Sequence, residues 1–186
     1  DNEAYMNTGI QRSGGTPFAA STTTSPAGRV IPGKQGWKKP IDEIVITHDI
    51  PYVATLSAAW PLDVMQKARR AIEAEGPAFL HAIVPCTRGW RYPTENTIEI
   101  SRLAVETCLF PLYECRLEGG RHVYELSPPS LGVARRPEGK KPVEEYLRGQ
   151  GRFRHLFNPE RRDDLLGSIQ DWVDRRWGVL LEKAGL

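Results

Sequence analysis

Gly76-Pro77-Ala78-Phe79-Leu80-His81-Ala82-Ile83-Val84-Pro85-Cys86 (GPAFLHAIVPC) is the stretch that decides the fold. Ala78 to Val84 is apolar almost throughout, as expected of a parallel strand covered on both sides. Gly76-Pro77 ends a helix predicted over Pro61 to Glu75, which places Leu62, Met65, Ala68 and Ile72 on one helical face. Upstream, Tyr52 to Leu56 (YVATL) reads as a strand, and Pro40 to His48 as a short helix with proline at its start. Downstream, Thr97 to Thr107 reads as a helix with Ile98, Leu103 and Val105 as candidate buried positions. Leu112 to Leu117 and His122 to Leu126 flank Glu118-Gly119-Gly120, a hairpin signal. A last helix spans Pro159 to Leu181. Its apolar residues (Leu165, Leu166, Ile169, Trp172, Val173, Trp177, Leu180 and Leu181) recur at three- and four-residue steps. Helix, strand, helix, strand is the order of an α/β domain with a mainly parallel sheet.

The two ends behave differently. Residues 1–40 carry little apolar periodicity and many turn formers, a long loop of the kind that holds function. Residues 127–142 are rich in Pro, Gly, Lys and Arg and read as a surface excursion. The expected division is therefore 1–126, with a loop at 1–40, followed by an extension over 127–186.

Composition narrows the function. The chain has 186 residues, 40% of them hydrophobic and 26% charged, enough to bury a core. A formal charge of +2 is too small to argue for nucleic acid. The arginines of the last 40 residues alternate with Asp and Glu, so no single-sign patch is expected. No apolar run approaches the roughly 20 residues that cross a bilayer. Three cysteines without a C-x-x-C pair, and no secretory signal, point to a reducing, cytoplasmic setting. No complete zinc or iron–sulfur site can be built from Cys86, Cys108 and Cys115 as spaced. The four histidines are scattered and read as packed or surface residues.

The chemistry concentrates in Asp1-Asn2-Glu3-Ala4-Tyr5-Met6-Asn7-Thr8-Gly9. Ligands of open α/β sheets sit beyond the carboxyl ends of strands. Magnesium wants oxygen ligands in octahedral geometry, and the Asn2 amide and Ala4 carbonyl offer two. Read by itself, this stretch fits an ordinary Asn-rich turn better than a metal site, because such turns usually serve only to reverse the chain.

Resemblance separates the two readings. DNEAYMNTGIQRSGGTP with its Thr-rich continuation resembles the second half of the thiamine diphosphate motif in the β subunits of 2-oxoacid:ferredoxin oxidoreductases. The likeness continues through YVAT (52–55), GPAFLHAIVPC (76–86), GW (89–90), RLAVET (102–107), PLYE (111–114), KPVEEYL (141–147) and QGRFRHL (150–156). It implies an α/β thiamine-diphosphate fold of which this chain is the carboxy-terminal portion, the Gly-Asp-Gly half lying outside. It implies that Asn2 and Ala4 complete a magnesium shell and that Tyr5, Met6 and Thr8 line the cofactor. Asn7 then faces the thiazolium and the substrate carbonyl. Cys86 occupies the place of a fourth 4Fe–4S thiolate, with Cys108 and Cys115 structural. The implied partners are the other subunits of a complex, ferredoxin and a small 2-oxoacid.

Arg12 is a candidate clamp for a substrate carboxylate, alongside the bland reading of a solvated charge. Two departures from the family pattern, Gly14-Gly15 and Thr87-Arg88, favour oxalate as substrate, with pyruvate next. A non-catalytic scaffold of the same fold is the rival reading.

Overall fold

Residues 1–186 are described by a computed structural model. The strand of the opening stretch is β2, Ala78–Ile83, and it pairs in parallel with β1, Tyr52–Ser57, from Tyr52↔Ala78 to Ser57↔Ile83. Helix α2, Pro61–Glu73, makes the crossover. β3, Tyr113–Glu118, and β4, Arg121–Leu126, form the expected hairpin. Its two-residue turn places both Gly119 (φ 55°) and Gly120 (φ 77°) in the left-handed region, which such turns require. The sheet order is β2-β1-β3-β4, and β3 runs antiparallel to β1.

The α/β reading holds, with a mixed sheet: one ladder is parallel and two are antiparallel. The hairpin joins β1 on its free side, so only the helical crossover contributes a parallel pair. β1, second in the order, is buried at all six positions. β2 differs from expectation, because it is an edge strand with Ala78 exposed and Phe79 and Leu80 only partly covered.

Helix α2 also departs from its pattern. Leu62, Met65 and Ile72 point outward, 73%, 67% and 85% exposed. The side facing the protein holds charge instead. Lys67 is fully buried, donating to Asp63 at 2.7 Å and to the Thr55 carbonyl at 2.8 Å. Above the sheet, α1, Ile41–Ile46, packs on β1.

The rest is helical. Short α3, Thr87–Trp90, follows β2, and α4, Thr97–Glu106, buries Ile100, Leu103, Ala104 and Val105. Ile98, a candidate core position, is 49% exposed, because it falls on the outer side of that helix. The stretch read as an excursion contains α5, Pro128–Arg135, with Ser130 buried, where its hydroxyl accepts the Leu112 N–H at 2.7 Å. α6, Val143–Arg148, and a 3-10 turn at Gly151–Leu156 were not foreseen. They deliver Tyr146, Leu147, Phe153 and Leu156 to the core. α7, Asp163–Lys183, begins four residues later than predicted, where Asp163 and Asp164 complement the helix dipole. Its stripe is realised by buried Leu166, Ile169, Val173, Trp177 and Leu180. No helix is long and apolar enough to cross a membrane.

The inversion of α2 is open to measurement. Ile72→Ser should move stability by less than about 0.5 kcal/mol, as for exposed positions generally. Lys67→Met should cost about 3–5 kcal/mol, because it leaves Asp63 buried without its cation. Urea unfolding of the two variants gives the comparison.

Candidate functional site

The long amino-terminal loop is ordered around one carboxylate. Glu3 is fully buried and sits at φ 64°, a left-handed position that turns the chain back on itself. Its Oε1 accepts from Lys38 Nζ at 2.7 Å and its Oε2 from Arg152 Nη2 at 2.6 Å. The Glu3 N–H donates to Asp1 Oδ1 at 2.8 Å, and the Thr16 hydroxyl donates to the Glu3 carbonyl at 2.6 Å. Lys38 also pairs with Asp1 at 2.7 Å. Burial by itself would raise the Glu3 carboxyl, but Lys38 and Arg152 outweigh it and hold the group below the ordinary carboxylate value.

Arg152 extends the network across the molecule. Its guanidinium lies 3.9 Å from the centre of the Trp90 ring, and Trp90 Nε1 donates to the Asn2 carbonyl at 2.8 Å. Residues 2 and 3 are thus held from α3 and from the 3-10 turn. Tyr5 and Gln11 exchange backbone hydrogen bonds at 2.9 and 3.1 Å, closing Met6 to Ile10 into a tip. The Thr23 hydroxyl bonds the Gly9 carbonyl at 2.7 Å and braces that tip from the Thr-rich loop.

On this frame the candidate ligands take distinct positions. The Asn2 amide and the Ala4 carbonyl flank Glu3 and make no hydrogen bond within the chain. Tyr5, Asn7 and Thr8 are exposed, and Met6 is half-buried. Met6 and Cys86 come together at Gly89. A Cβ there would run into the Met6 thioether and stand 3.6 Å from Cys86 Sγ. The half-buried Cys86 thiol accepts the Gly89 N–H at 3.4 Å. No group of three or more His, Cys, Asp or Glu side chains able to hold a metal forms within the chain. Cys108 and Cys115 are buried, and burial pushes their thiols up to about 12 and about 11, which keeps them protonated.

Beside Gly89 lies an open recess of about 460 Å³, lined by Ile10, Ser21 to Thr23, Arg88 and Arg91. Arg12 does not face it. Arg12 is exposed, with Nη1 3.4 Å from Ser25 Oγ. Sequence reasoning passed over Arg91, and it missed Glu3, Lys38, Trp90 and Arg152 as the site's supports. A buried ion network among residues so far apart leaves no local pattern.

Gly14 and Gly15 serve packing. A Cβ on Gly15 would lie 3.2 Å from Asp1 Oδ1, and one on Gly14 would lie 3.1 Å from Lys39 Cδ. Their lack of side chains makes room for protein neighbours, so they carry no argument about substrate size.

Over almost its whole length the chain is homologous to subunits of 2-oxoacid oxidoreductases. It is 48% identical over 179 residues to pyruvate synthase subunit PorB of Methanosarcina barkeri, covering 96% of this chain and 56% of that protein. Pyruvate synthase subunit PorB of Thermotoga maritima is 47% identical over 181 residues, 97% of this chain and 52% of that protein. Ketoisovalerate oxidoreductase subunit VorB of Pyrococcus furiosus is 44% identical over 184 residues, 99% of this chain and 55% of that protein. The chain thus spans about half the length of the relatives it matches. No family model matches it. The relatives' names speak of pyruvate and ketoisovalerate, so the preference for oxalate finds no support among them.

Two outcomes test the ion network. Arg152→Leu should destabilise the fold by about 3–5 kcal/mol, because buried Glu3 then loses one of its two cations; thermal and urea unfolding report it. His81, whose Nε2 lies 3.1 Å from Asp1 Oδ2, is lowered from 6.5 to about 4 by burial and then by Lys38. Between those values the unfolded chain binds the proton and the folded chain does not. The His81 contribution should therefore be full above about pH 6.5 and fall as acid is added toward pH 4. His81→Gln should flatten that slope in denaturation series at fixed pH.

Proposed function

We propose that this chain is part of the thiamine-diphosphate-binding β subunit of a 2-oxoacid:ferredoxin oxidoreductase acting on pyruvate. The carrying observation is the pair of unpartnered oxygens, on Asn2 and Ala4, held rigidly on either side of a buried ion-paired carboxylate. The 48% identity to a pyruvate synthase subunit supports the choice of pyruvate. When bound, thiamine diphosphate supplies the electron sink that lets a 2-oxoacid lose carbon dioxide, and a 4Fe–4S cluster carries the electrons toward ferredoxin.

The donor set fits the cofactor. Asn2 and Ala4 present hard oxygen ligands suited to Mg²⁺, leaving further positions to diphosphate oxygens and to groups outside this chain. Met6 packs between the loop and α3, while Tyr5 and Thr8 flank the exposed tip as further cofactor contacts. Asn7, at that tip, donates a hydrogen bond to the substrate oxygen as negative charge develops there; losing such a donor costs about 3–4 kcal/mol of activation. Arg12 keeps most of its N–H groups free, as a clamp on the substrate carboxylate requires. Cys86, beside Met6, offers a thiolate to the cluster, with the remaining ligands from elsewhere in the longer protein.

The assembled complex tests each assignment by content before turnover. Asn2→Leu should lower bound thiamine diphosphate about tenfold or more while iron stays unchanged, and Cys86→Ser should lose iron while thiamine stays bound. Asn7→Ala should retain both and lose about 10²–10³ in kcat on pyruvate. A parent complex that contains no thiamine, and whose iron ignores Cys86→Ser, would leave only the scaffold reading. Turnover of oxalate in preference to pyruvate would reverse the substrate assignment.

A further inference from the structure

Asp1 is bonded to β2 as one strand is bonded to another. Its nitrogen donates to the Ala82 carbonyl at 2.6 Å, and its carbonyl accepts the Val84 N–H at 2.9 Å. A residue that reaches both neighbours of the residue opposite it belongs to a parallel ladder, so Asp1 stands opposite Ile83. The side chains agree, because the Asp1 carboxylate meets His81, which shares a face of β2 with Ile83. β1 occupies the other side of β2, so both bonds lie on the outer edge of the sheet.

This pairing ends toward the loop. Pro85 has no N–H to give, the Asn2 carbonyl is taken by Trp90 Nε1, and Glu3 turns away at φ 64°. In the other direction the edge stays open. Peptide groups alternate in direction along a strand, so Ala78 and Leu80 turn theirs to the same edge as Ala82 and Val84. Ala78 is exposed and Leu80 only partly covered, although Ala78 to Val84 is apolar apart from His81. An apolar strand with a free edge is a template for another strand. The chain spans about half the length of its relatives, so a protein of their length carries further chain to fill it.

We propose that the residues immediately before Asp1 in the longer subunit form a fifth strand, parallel to β2 on its outer edge. Asp1 opposite Ile83 sets the register: the second residue before Asp1 stands opposite His81, and the fifth opposite Ala78. The second residue donates its N–H to the Leu80 carbonyl, and its own carbonyl accepts the Ala82 N–H. The loop of residues 1–40 then leaves the carboxyl end of that strand, beside the end of β2 that leads to Cys86. Open α/β sheets place their ligands there. The inference rests on this chain being part of a longer subunit, and not on the thiamine or iron assignments. Its test reads backbone protection, so either reading can fail without the other.

The test is amide hydrogen exchange of the assembled complex, resolved to single residues by fragmentation in the mass spectrometer. On a free edge, Leu80 and Ala82 would exchange far faster than Phe79, His81 and Ile83, whose amides face β1. The expected result is exchange at Leu80 and Ala82 within about tenfold of those three. The second and fourth residues before Asp1 should be slowed by about 10²-fold or more. Proline at the second position removes the N–H given to Leu80 and should speed exchange at Leu80 and Ala82 about tenfold or more. Fast exchange in the parent at Leu80 and Ala82, or at the second and fourth residues, overturns the proposal. So does protection that the proline leaves unchanged, the result expected if a different subunit covers this edge. Should the proline variant fail to assemble, exchange in the parent decides by itself.

Discussion

Glu3 between Lys38 and Arg152 is the constraint on which the rest of the site depends. An isolated carboxylate would not stay charged at zero exposure; two cations and a fixed geometry make it tolerable. The arrangement spans residues 3, 38 and 152, so it joins the start of the chain to its last third. Because a loop of 40 residues has no ladder of its own, this charge cluster takes the place that a sheet or helix would fill. It also explains the left-handed backbone at residue 3, since strain of that kind persists only where surrounding contacts over-determine it.

The proposed function rests on what that clamp leaves free. The groups nearest Glu3 divide into those that hold it and those that face outward with nothing to hold. Asn2 and Ala4 are of the second kind, and so is the exposed side chain of Asn7. A binding loop whose backbone is pinned from beneath loses little entropy when a ligand arrives, which is the physical content of preorganisation. Gly89 adds a second coupling, since the absence of its Cβ is what lets Met6 approach Cys86. Lys38 and His81 both meet the Asp1 carboxylate, which ties the start of the loop to β2.

Helix α2 and strand β2 show where periodicity misleads. An apolar stripe at helical spacing reports that a face is suited to burial, and here Leu62, Met65 and Ile72 stay outward while Lys67 and Asp63 take the inner side. Likewise an unbroken apolar strand reads as central, yet β2 is an edge within this chain. Both patterns match a chain that spans about half the length of its relatives.

Local chemistry was legible in the residues themselves. The helix under Pro40, the strands at 52 and 78, the Gly119-Gly120 hairpin and the stripe of α7 each follow from spacing, turn geometry or amphipathicity, which act over a few residues. The homology signal was likewise carried by the run from Asp1 to Gly9 and by the segment ending at Cys86. Only the tertiary structure decided that the hairpin makes the sheet mixed, that Arg91 rather than Arg12 faces the recess, and that Gly14 and Gly15 make room for Lys39 and Asp1. It alone revealed Glu3, Arg152 and Trp90 as one unit. Those are contacts between residues separated by tens of positions, and pairing at such distance is set by the packed core, which no window of sequence contains.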